Sequence, residues 1–141
     1  MSGSEPWLYY YGLPSRPRLV GRSNTYTEPW TEPTGPFRFP PYSKELRPVG
    51  NHPIQDIWET KLVRPIVDLL SLAKVEFTSI DLCRIGTKED CPGPLVVWIG
   101  IAPGTLSPEA GLKVALKCKE ILEENGINDV DAELRESVIW R

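Results

Sequence analysis

Apolar residues recur at helical spacing in two segments of the chain. Over residues 54–73 they return every three or four positions after Pro53, which predicts a helix with one buried face. Pro65 interrupts this pattern, and because proline has no amide hydrogen to donate, we expect a kink or two abutting helices there. The second segment, residues 107–126, starts with a Ser-Pro pair and ends with Asn-Gly, which are typical helix boundaries.

Three other segments have the patterns of strands. Residues 75–85 are rich in β-branched and aromatic side chains, and residues 95–101 are apolar on both faces, which is typical of a central strand covered on two sides. Over residues 130–140 apolar and polar positions alternate. We therefore expect one face of this last strand on the core and the other, with Glu133 and Arg135, in water.

The order of these elements predicts an α+β, ferredoxin-like fold. A short strand at 18–22 would complete the order βαββαβ, and without it the chain would have the truncated order αββαβ. In either case we expect a two-layer sandwich formed by residues 51–141. Residues 1–50 would precede it as an extended arm, and no transmembrane segment is expected.

Proline distinguishes the arm from the rest of the chain. Nine of the 15 prolines fall in residues 1–50, where they exclude helix and favour extended chain. We therefore expect a long Pro-rich N-terminal wrap. The arm also contains aromatic side chains of the types that dominate protein interfaces. These are Trp7, Tyr9, Tyr10, Tyr11 and Trp30. They either hold the arm against its own body or contact a protein partner or a second copy of the chain.

Charge and cysteine content narrow the class of protein. The net charge is −3, which argues against a nucleic-acid partner because neutralising phosphates requires a basic face. Residues 1–50 carry six basic and four acidic groups, so the arm is positive and the remainder acidic. Three cysteines do not suit a disulfide scaffold, and the first residues lack a secretory signal pattern. By elimination we expect a cytoplasmic protein without a membrane partner.

Few residues are candidates for chemistry. His52 is the single histidine, so sites that need two are excluded, and we expect no metal and no cofactor. Cys118 falls on the predicted buried face of its helix, while Cys83 and Cys91 could meet across a loop as a disulfide or remain free thiols. His52, Arg84 and Cys91 are the polar groups on which a small hydrolase-like or ligand-binding site would have to depend.

Nine blocks of the sequence carry a resemblance to a known family. They are RLVGRS (18–23), PTGP (33–36), KELRPVGNH (44–52), VEFTSID (75–81), RIG (84–86), VWIG (97–100), PGTLS (103–107), VALKCK (114–119) and DVDAELRESV (129–138). Together they resemble an uncharacterised fungal family that is abundant in mushroom-forming basidiomycetes. In longer members the equivalent region looks like an N-terminal module that precedes a segment resembling a trypsin-like peptidase.

The resemblance implies a stand-alone or excised module, and it assigns no activity to the chain. The chain has no Thr-Ala-x-His stretch, no catalytic serine motif and no second histidine, so no protease residue transfers to it. We therefore expect a protein that is not an enzyme but a protein-protein interaction or self-association module. The alternatives are a small Cys/His hydrolase-like or ligand-binding domain, or a fungal effector protein.

Overall fold

The structure is a computed structural model that describes residues 3–14, 17–33 and 43–137. Its helices are α1 (Glu5–Leu8), α2 (Ile54–Ile57), α3 (Val63–Leu72) and α4 (Pro108–Glu124), and a π-helical turn (Trp58–Leu62) joins α2 to α3. Its strands are β1 (Arg18–Arg22), β2 (Glu45–Arg47), β3 (Phe77–Gly86), β4 (Leu95–Ile101) and β5 (Asp131–Glu136). This mixture confirms the predicted α+β class.

The described strands form a single five-stranded sheet in the order β1-β5-β4-β3-β2. β4 and β5 are parallel and connected by α4, whereas the other neighbours are antiparallel. This order does not confirm the expected ferredoxin-like topology. That fold is a split βαβ arrangement, with a strand inserted inside the unit, but β4 and β5 pair directly from Val96 opposite Asp131 to Ile101 opposite Glu136. β1 lies instead at the outer edge, against β5.

Two glycines bring β1 directly onto α4. A Cβ atom added at Gly21 would lie 2.5 Å from the carbonyl carbon of Gly111, and one added at Gly111 would lie 2.8 Å from Cγ1 of Val20. Both distances are too short for any side chain larger than hydrogen. The absence of side chains at these two positions therefore lets the edge strand pack backbone to backbone on the helix.

The boundaries of α4 confirm the sequence prediction. The Ser107 hydroxyl oxygen accepts a hydrogen bond from the Ala110 amide at 3.2 Å, which caps the first turn. At the other end Gly126 has a φ of +80°, and the Ile127 amide donates to the Leu122 carbonyl at 2.9 Å. Since glycine adopts this left-handed conformation without steric cost, local sequence alone ends the helix here.

The first helical segment divides into two helices before Pro65, which is one of the two arrangements that we predicted. The π-helical turn ends where the Val63 amide donates to the carbonyl of Trp58, and α3 then begins. The apolar face nevertheless continues across the break, since Ile54, Leu62 and Ile66 are fully buried. The π-helical turn is wider than an α-helical turn. It therefore accommodates the absence of an amide donor at Pro65 and keeps these side chains against the sheet.

The sheet is covered on both faces, so the expected two-layer sandwich has a third layer. β4 is buried along its whole length, as its sequence predicted. Its alternate residues contact either α2, α3 and α4 or the N-terminal segment, which we define as residues 3–14. We refer to these two sides as the helix face and the N-terminal face. Val97 and Ile99 lie on the helix face, and Val96 and Trp98 lie on the N-terminal face.

The prediction for the polar face of β5 is wrong. Ala132 and Leu134 are fully buried on the helix face, as expected, but Glu133 on the opposite side is only 3% exposed. Period-two alternation shows that two faces differ, but it does not show what covers the polar one. Here the N-terminal segment covers it.

Strands from both sides of residue 50 share the sheet. β1 and β2 both belong to residues 1–50, and they form its two opposite edges. Residues 34–42 of the expected Pro-rich wrap and residues 138–141 of the expected last strand lie outside the described ranges. Among the described helices, none has the length and apolar character needed to cross a membrane.

Candidate functional site

A cluster of charged and phenolic side chains is buried between the N-terminal segment and the sheet. We call it the buried cluster, and its members are Glu5, Tyr9, Tyr10, Arg22, Lys44 and Glu133. They come from α1 and the residues after it, from β1, from the residue before β2, and from β5. Because buried ionisable groups are costly unless they are paired, we describe the partners of each member in turn.

Glu133 lies at the centre of the buried cluster. The Tyr9 hydroxyl donates to its Oε2 at 2.9 Å, and the Tyr10 hydroxyl donates to its Oε1 at 2.7 Å. Burial raises the pKa of Glu133 above its usual value of 4.5, although Lys44 and the two phenols oppose that shift. Burial also raises the pKa values of both tyrosines well above 10, so they act as hydrogen-bond donors at neutral pH.

Arg22 forms a buried ion pair with α1. Its Nε donates to Oε2 of Glu5 at 2.9 Å, and both side chains are almost completely buried. Its Nη1 donates to the side-chain oxygen of Asn24 at 3.0 Å and to the carbonyl of Glu28 at 2.7 Å. This guanidinium thus fixes the N-terminal segment and the loop after β1 to the same strand.

Lys44 is held by aromatic rings. Its Nζ lies 3.3 Å from the centroid of the Tyr9 ring and 5.8 Å from that of Tyr10, a cation–π arrangement. The Arg22 guanidinium also lies 4.7 Å from the Tyr9 centroid. Burial lowers the pKa of Lys44 from its usual 10.5 to about 8, and the charge of Glu133 only partly counteracts this.

Beside the buried cluster, Arg135 and Trp98 stack on each other on the N-terminal face of β4 and β5. The Arg135 guanidinium lies 3.5 Å from the centroid of the Trp98 ring, and Trp98 meets Tyr10 edge to face at 5.6 Å. Burial lowers the pKa of Arg135, while Asp81 at 3.8 Å opposes that effect. Glu133 and Arg135, the two residues of β5 that we expected in water, therefore both contact aromatic side chains.

An open cleft of about 580 Å³ adjoins the buried cluster. Its lining is mainly aromatic side chains and prolines, and includes Trp7, Tyr10, Tyr11, Pro14, Pro17 and Ser43. Trp7 is 67% exposed there, and the Arg18 guanidinium lies 5.0 Å from its ring. An exposed tryptophan beside an open cleft is suited to contact another molecule.

The five aromatic residues that we selected from the sequence occupy different environments. Trp7 and Tyr11 are exposed at the cleft, whereas Tyr10 is 2% exposed and belongs to the buried cluster. Tyr9 and Trp30 are partly buried and lie 6.4 Å apart between ring centroids. The structure thus brings all five to the N-terminal face, but only Trp7 and Tyr11 are exposed there.

The three polar candidates from the sequence, His52, Arg84 and Cys91, have no described partner in common. His52 accepts a hydrogen bond from the Ile54 amide at its Nδ1 and lies 2.8 Å from Asp129 through its Nε2. Arg84 donates to the carbonyls of Val49 and Gly93. Cys91 is exposed on the loop between β3 and β4. The hydrogen bonds of His52 and Arg84 support helix and loop structure.

The cysteines have the properties of unreactive thiols or exposed loop residues. Cys83, Cys91 and Cys118 are unpaired, so the possible Cys83–Cys91 disulfide is not formed. Burial raises the pKa of Cys83 and that of Cys118 to about 12, which leaves almost no thiolate at neutral pH. Among the described residues no group of three or more acidic, cysteine or histidine side chains could hold a metal ion.

Sequence patterns did not indicate Glu133, Arg22 or Lys44 as members of a site. A signal was available for one of them, because a strand such as β4 that is apolar on both faces requires a second covering layer. The neighbouring strand β5 must lie beneath the same layer, and so must Glu133. Arg22 and Lys44 come together with it only through the path of the chain, which leaves no local pattern.

Comparisons with protein-family models, with curated proteins and with solved structures find no match to this chain.

Proposed function

We propose that the protein is a non-catalytic interaction module, which binds a protein partner or a second copy of itself through the cleft beside Trp7. The observation that carries this proposal is the 67% exposure of Trp7 at an open cleft of about 580 Å³ that is lined by aromatic side chains and prolines. Tryptophan and tyrosine contribute most of the binding energy at many interfaces, because they bury a large area and lose little side-chain entropy.

The cleft also has a rigid base, which favours binding. Tyr10 and Leu13, which line it, are each 2% exposed and pack on β4. The Lys44 amide donates to the Tyr11 carbonyl at 2.7 Å, so the chain before β2 is fixed to the N-terminal segment. A partner would therefore meet a surface that is already ordered, which lowers the entropy cost of association.

The hydrolase alternative has less support. A Cys/His enzyme needs a thiol within hydrogen-bond reach of its base. His52 instead contacts Ile54 and Asp129, and burial raises the pKa values of two of the three thiols. We retain the fungal-family resemblance and the cytoplasmic location as predictions. The unpaired cysteines suit a reducing compartment, which supports the second of them.

The test compares the variant Trp7→Ala with Leu72→Ala, which removes another exposed apolar side chain at the end of α3. Sedimentation velocity over a range of concentrations measures self-association, and tagged protein immobilised on beads measures partner capture. We expect Trp7→Ala to weaken association at least tenfold and Leu72→Ala to leave it unchanged. Equal association by both variants, or no association by the unmodified protein, would overturn the proposal.

Point variants are preferable to deletion of the N-terminal segment. Removing residues 3–14 would expose Trp98 and Glu133, which are 6% and 3% exposed in the intact fold. A truncated chain would then lose binding because it unfolds or aggregates. The Trp7→Ala variant avoids this ambiguity because the indole is largely in water.

A further inference from the structure

Strand β3 extends beyond the strand that pairs with its outer edge. It comprises the ten residues Phe77–Gly86, but β2 pairs only with its last three residues. Further along, the Val49 carbonyl accepts a hydrogen bond from Nε of Arg84 at 2.7 Å instead of one from a β3 amide. Among the described residues, no strand pairs with residues 79–83 on the side away from β4, and we call this stretch the open edge.

The open edge presents backbone groups without partners. The Ile85 amide donates to the Pro94 carbonyl at 3.1 Å, so the backbone of Ile85 faces the β4 side. Since backbone direction alternates along an antiparallel ladder, the amides and carbonyls of Ile80 and Leu82 face the opposite way. None of these groups has a hydrogen-bond partner within the described part of the chain. An edge of this kind is a template for an added strand.

A groove of about 350 Å³ adjoins the open edge on the helix face. Its apolar wall consists of Val49, Trp58 and Leu82, which are partly buried against the core. The other lining residues are exposed and belong to α2 and the π-helical turn, and none of them is cationic; they are Gln55, Asp56, Glu59 and Thr60. The groove therefore suits an apolar side chain that belongs to a positively charged segment.

We propose that the open edge binds an extended basic segment of a partner protein, in which lysine or arginine alternates with apolar residues. The segment adds a strand antiparallel to β3, as β2 does further along. Its residue opposite Leu82 projects on the helix face, where the groove accepts an apolar side chain. Its residue opposite Asp81 projects on the N-terminal face, beside a carboxylate whose side chain is 56% exposed. Main-chain hydrogen bonds supply affinity, and these two contacts supply the sequence preference.

A second copy of the chain does not suit the open edge. Antiparallel pairing of residues 79–83 with the same residues of another copy places Asp81 opposite Asp81. Like charges directly opposite each other on neighbouring strands are destabilising. The open edge and its groove also share no residue with the lining of the cleft beside Trp7. This surface is therefore separate from the one in the proposed function, and the two can be tested apart.

Fluorescence anisotropy with a synthetic peptide tests this proposal on the intact protein. The probe is fluorescein-labelled Lys-Val-Lys-Val-Lys-Val-Lys, and two further peptides carry N-methyl groups on either the valine or the lysine amides. In the proposed ladder the valine amides face β3 and the lysine amides face water. We expect methylation of the valines to weaken binding about tenfold or more, and methylation of the lysines to weaken it less than about threefold. No binding of the probe, or equal effects of the two methylations, would overturn the proposal.

Protein variants test the charge preference. Asp81→Asn removes the carboxylate at the open edge and should weaken binding of the probe by about twofold to fivefold. Asp90→Asn makes the same change at an exposed residue on the loop between β3 and β4 and should leave binding unchanged. Equal binding by these two variants contradicts the proposed pairing. Trp7→Ala should bind the probe as the unmodified protein does, so failure of the cleft proposal and failure of this one are distinguishable.

Sedimentation velocity of the same samples tests which molecule occupies the open edge. We expect the probe to leave the oligomeric state of the protein unchanged, because a second copy is not the occupant. A dimer that dissociates when the probe is added would show that another copy pairs with the open edge, and it would overturn the proposal.

Discussion

The two faces of the sheet are held by different physical means. On the helix face, Val97, Ile99 and Leu134 pack against apolar residues of α3 and α4, and this core contains no charged side chain among its buried members. On the N-terminal face, Tyr10 and Trp98 pack beside the buried polar side chains of Glu133 and Arg22. The same strands thus support an apolar interior on one side and a hydrogen-bonded cluster on the other.

This difference determines how each face responds to change. Apolar burial is non-directional, so truncating one side chain on the helix face removes contact area and leaves a cavity. A buried polar cluster is stable only while its members have partners, and removing one member leaves another unpaired. We therefore expect the N-terminal face to be more sensitive to single substitutions and to pH than the helix face.

The largest effect is expected from Arg22→Met. This change leaves the buried Glu5 carboxylate unpaired and should lower the free energy of unfolding by about 3–5 kcal/mol. Urea denaturation followed by tryptophan fluorescence measures it. The control is Arg64→Met, which breaks an ion pair with Asp68 whose side chains are 86% and 59% exposed. An exposed pair contributes less than about 1 kcal/mol, so similar losses from both variants would contradict the proposed difference.

A pH series tests whether protonation of Lys44, on the N-terminal face, changes the stability of the protein. The folded pKa is about 8 and the usual value is 10.5, so between these values the unfolded chain holds the proton that the folded chain has released. Stability must therefore rise with pH across this window, by about 3 kcal/mol in total, and it should be constant with respect to this group below pH 8, where both states hold the proton.

The measurement compares unfolding free energies of the unmodified protein and Lys44→Met at pH 7, 9 and 10.5. As pH rises, the unfolding free energy of the unmodified protein should increase relative to that of Lys44→Met. Ile99→Ala on the helix face is the control, because it removes only apolar contacts at a fully buried position. Its curve should stay parallel to that of the unmodified protein. A constant difference for Lys44→Met would show that its charge does not matter.

Tyr10→Phe should have an intermediate effect. It retains the ring that packs on Trp98 but removes the hydroxyl that donates to Glu133 at 2.7 Å. The buried carboxylate loses one donor, which should cost about 2 kcal/mol of stability. Tyr26→Phe makes the same change at a residue that is 74% exposed and should alter stability by less than about 0.5 kcal/mol. Thermal unfolding of the two variants, measured in parallel, gives this comparison.

The smallest stability effect is expected from Trp7→Ala. The indole is 67% exposed, and the Arg18 guanidinium lies 5.0 Å from its ring. An exposed cation–π pair contributes only about 0.5–1 kcal/mol. Urea denaturation should therefore show a loss below about 1 kcal/mol, whereas we expect the same variant to weaken association through the cleft. A loss comparable to that of Arg22→Met would mean that Trp7 is structural.

Several elements could be predicted because their causes are local. Ser107 and Gly126 bound α4 through their own side chain and backbone conformation, and β4 shows its double burial in its composition. The order of the strands could not be predicted in this way. The pairing of β1 with β5 depends on the close contact between Gly21 and Gly111, which are ninety residues apart in the chain.

Some residues of the candidate site could be predicted from the sequence and others could not. The aromatic residues of the N-terminal segment stood out in the sequence, because exposed aromatic side chains require a partner surface. Their actual partner, Glu133, looked like an ordinary surface residue of an alternating strand. Lys44 had no distinguishing pattern, because its properties come from the Tyr9 ring and from burial.

The sequence by itself determined the α+β class and the helix and strand patterns of residues 51–141. It also distinguished residues 1–50 by their proline and aromatic content. Only the tertiary structure decided which polar residues are buried. Helix caps and strand alternation act over a few neighbouring residues, whereas burial depends on segments that are far apart in the chain. The pKa of Lys44 and the partners of Glu133 exist only because the N-terminal segment covers the second face of the sheet.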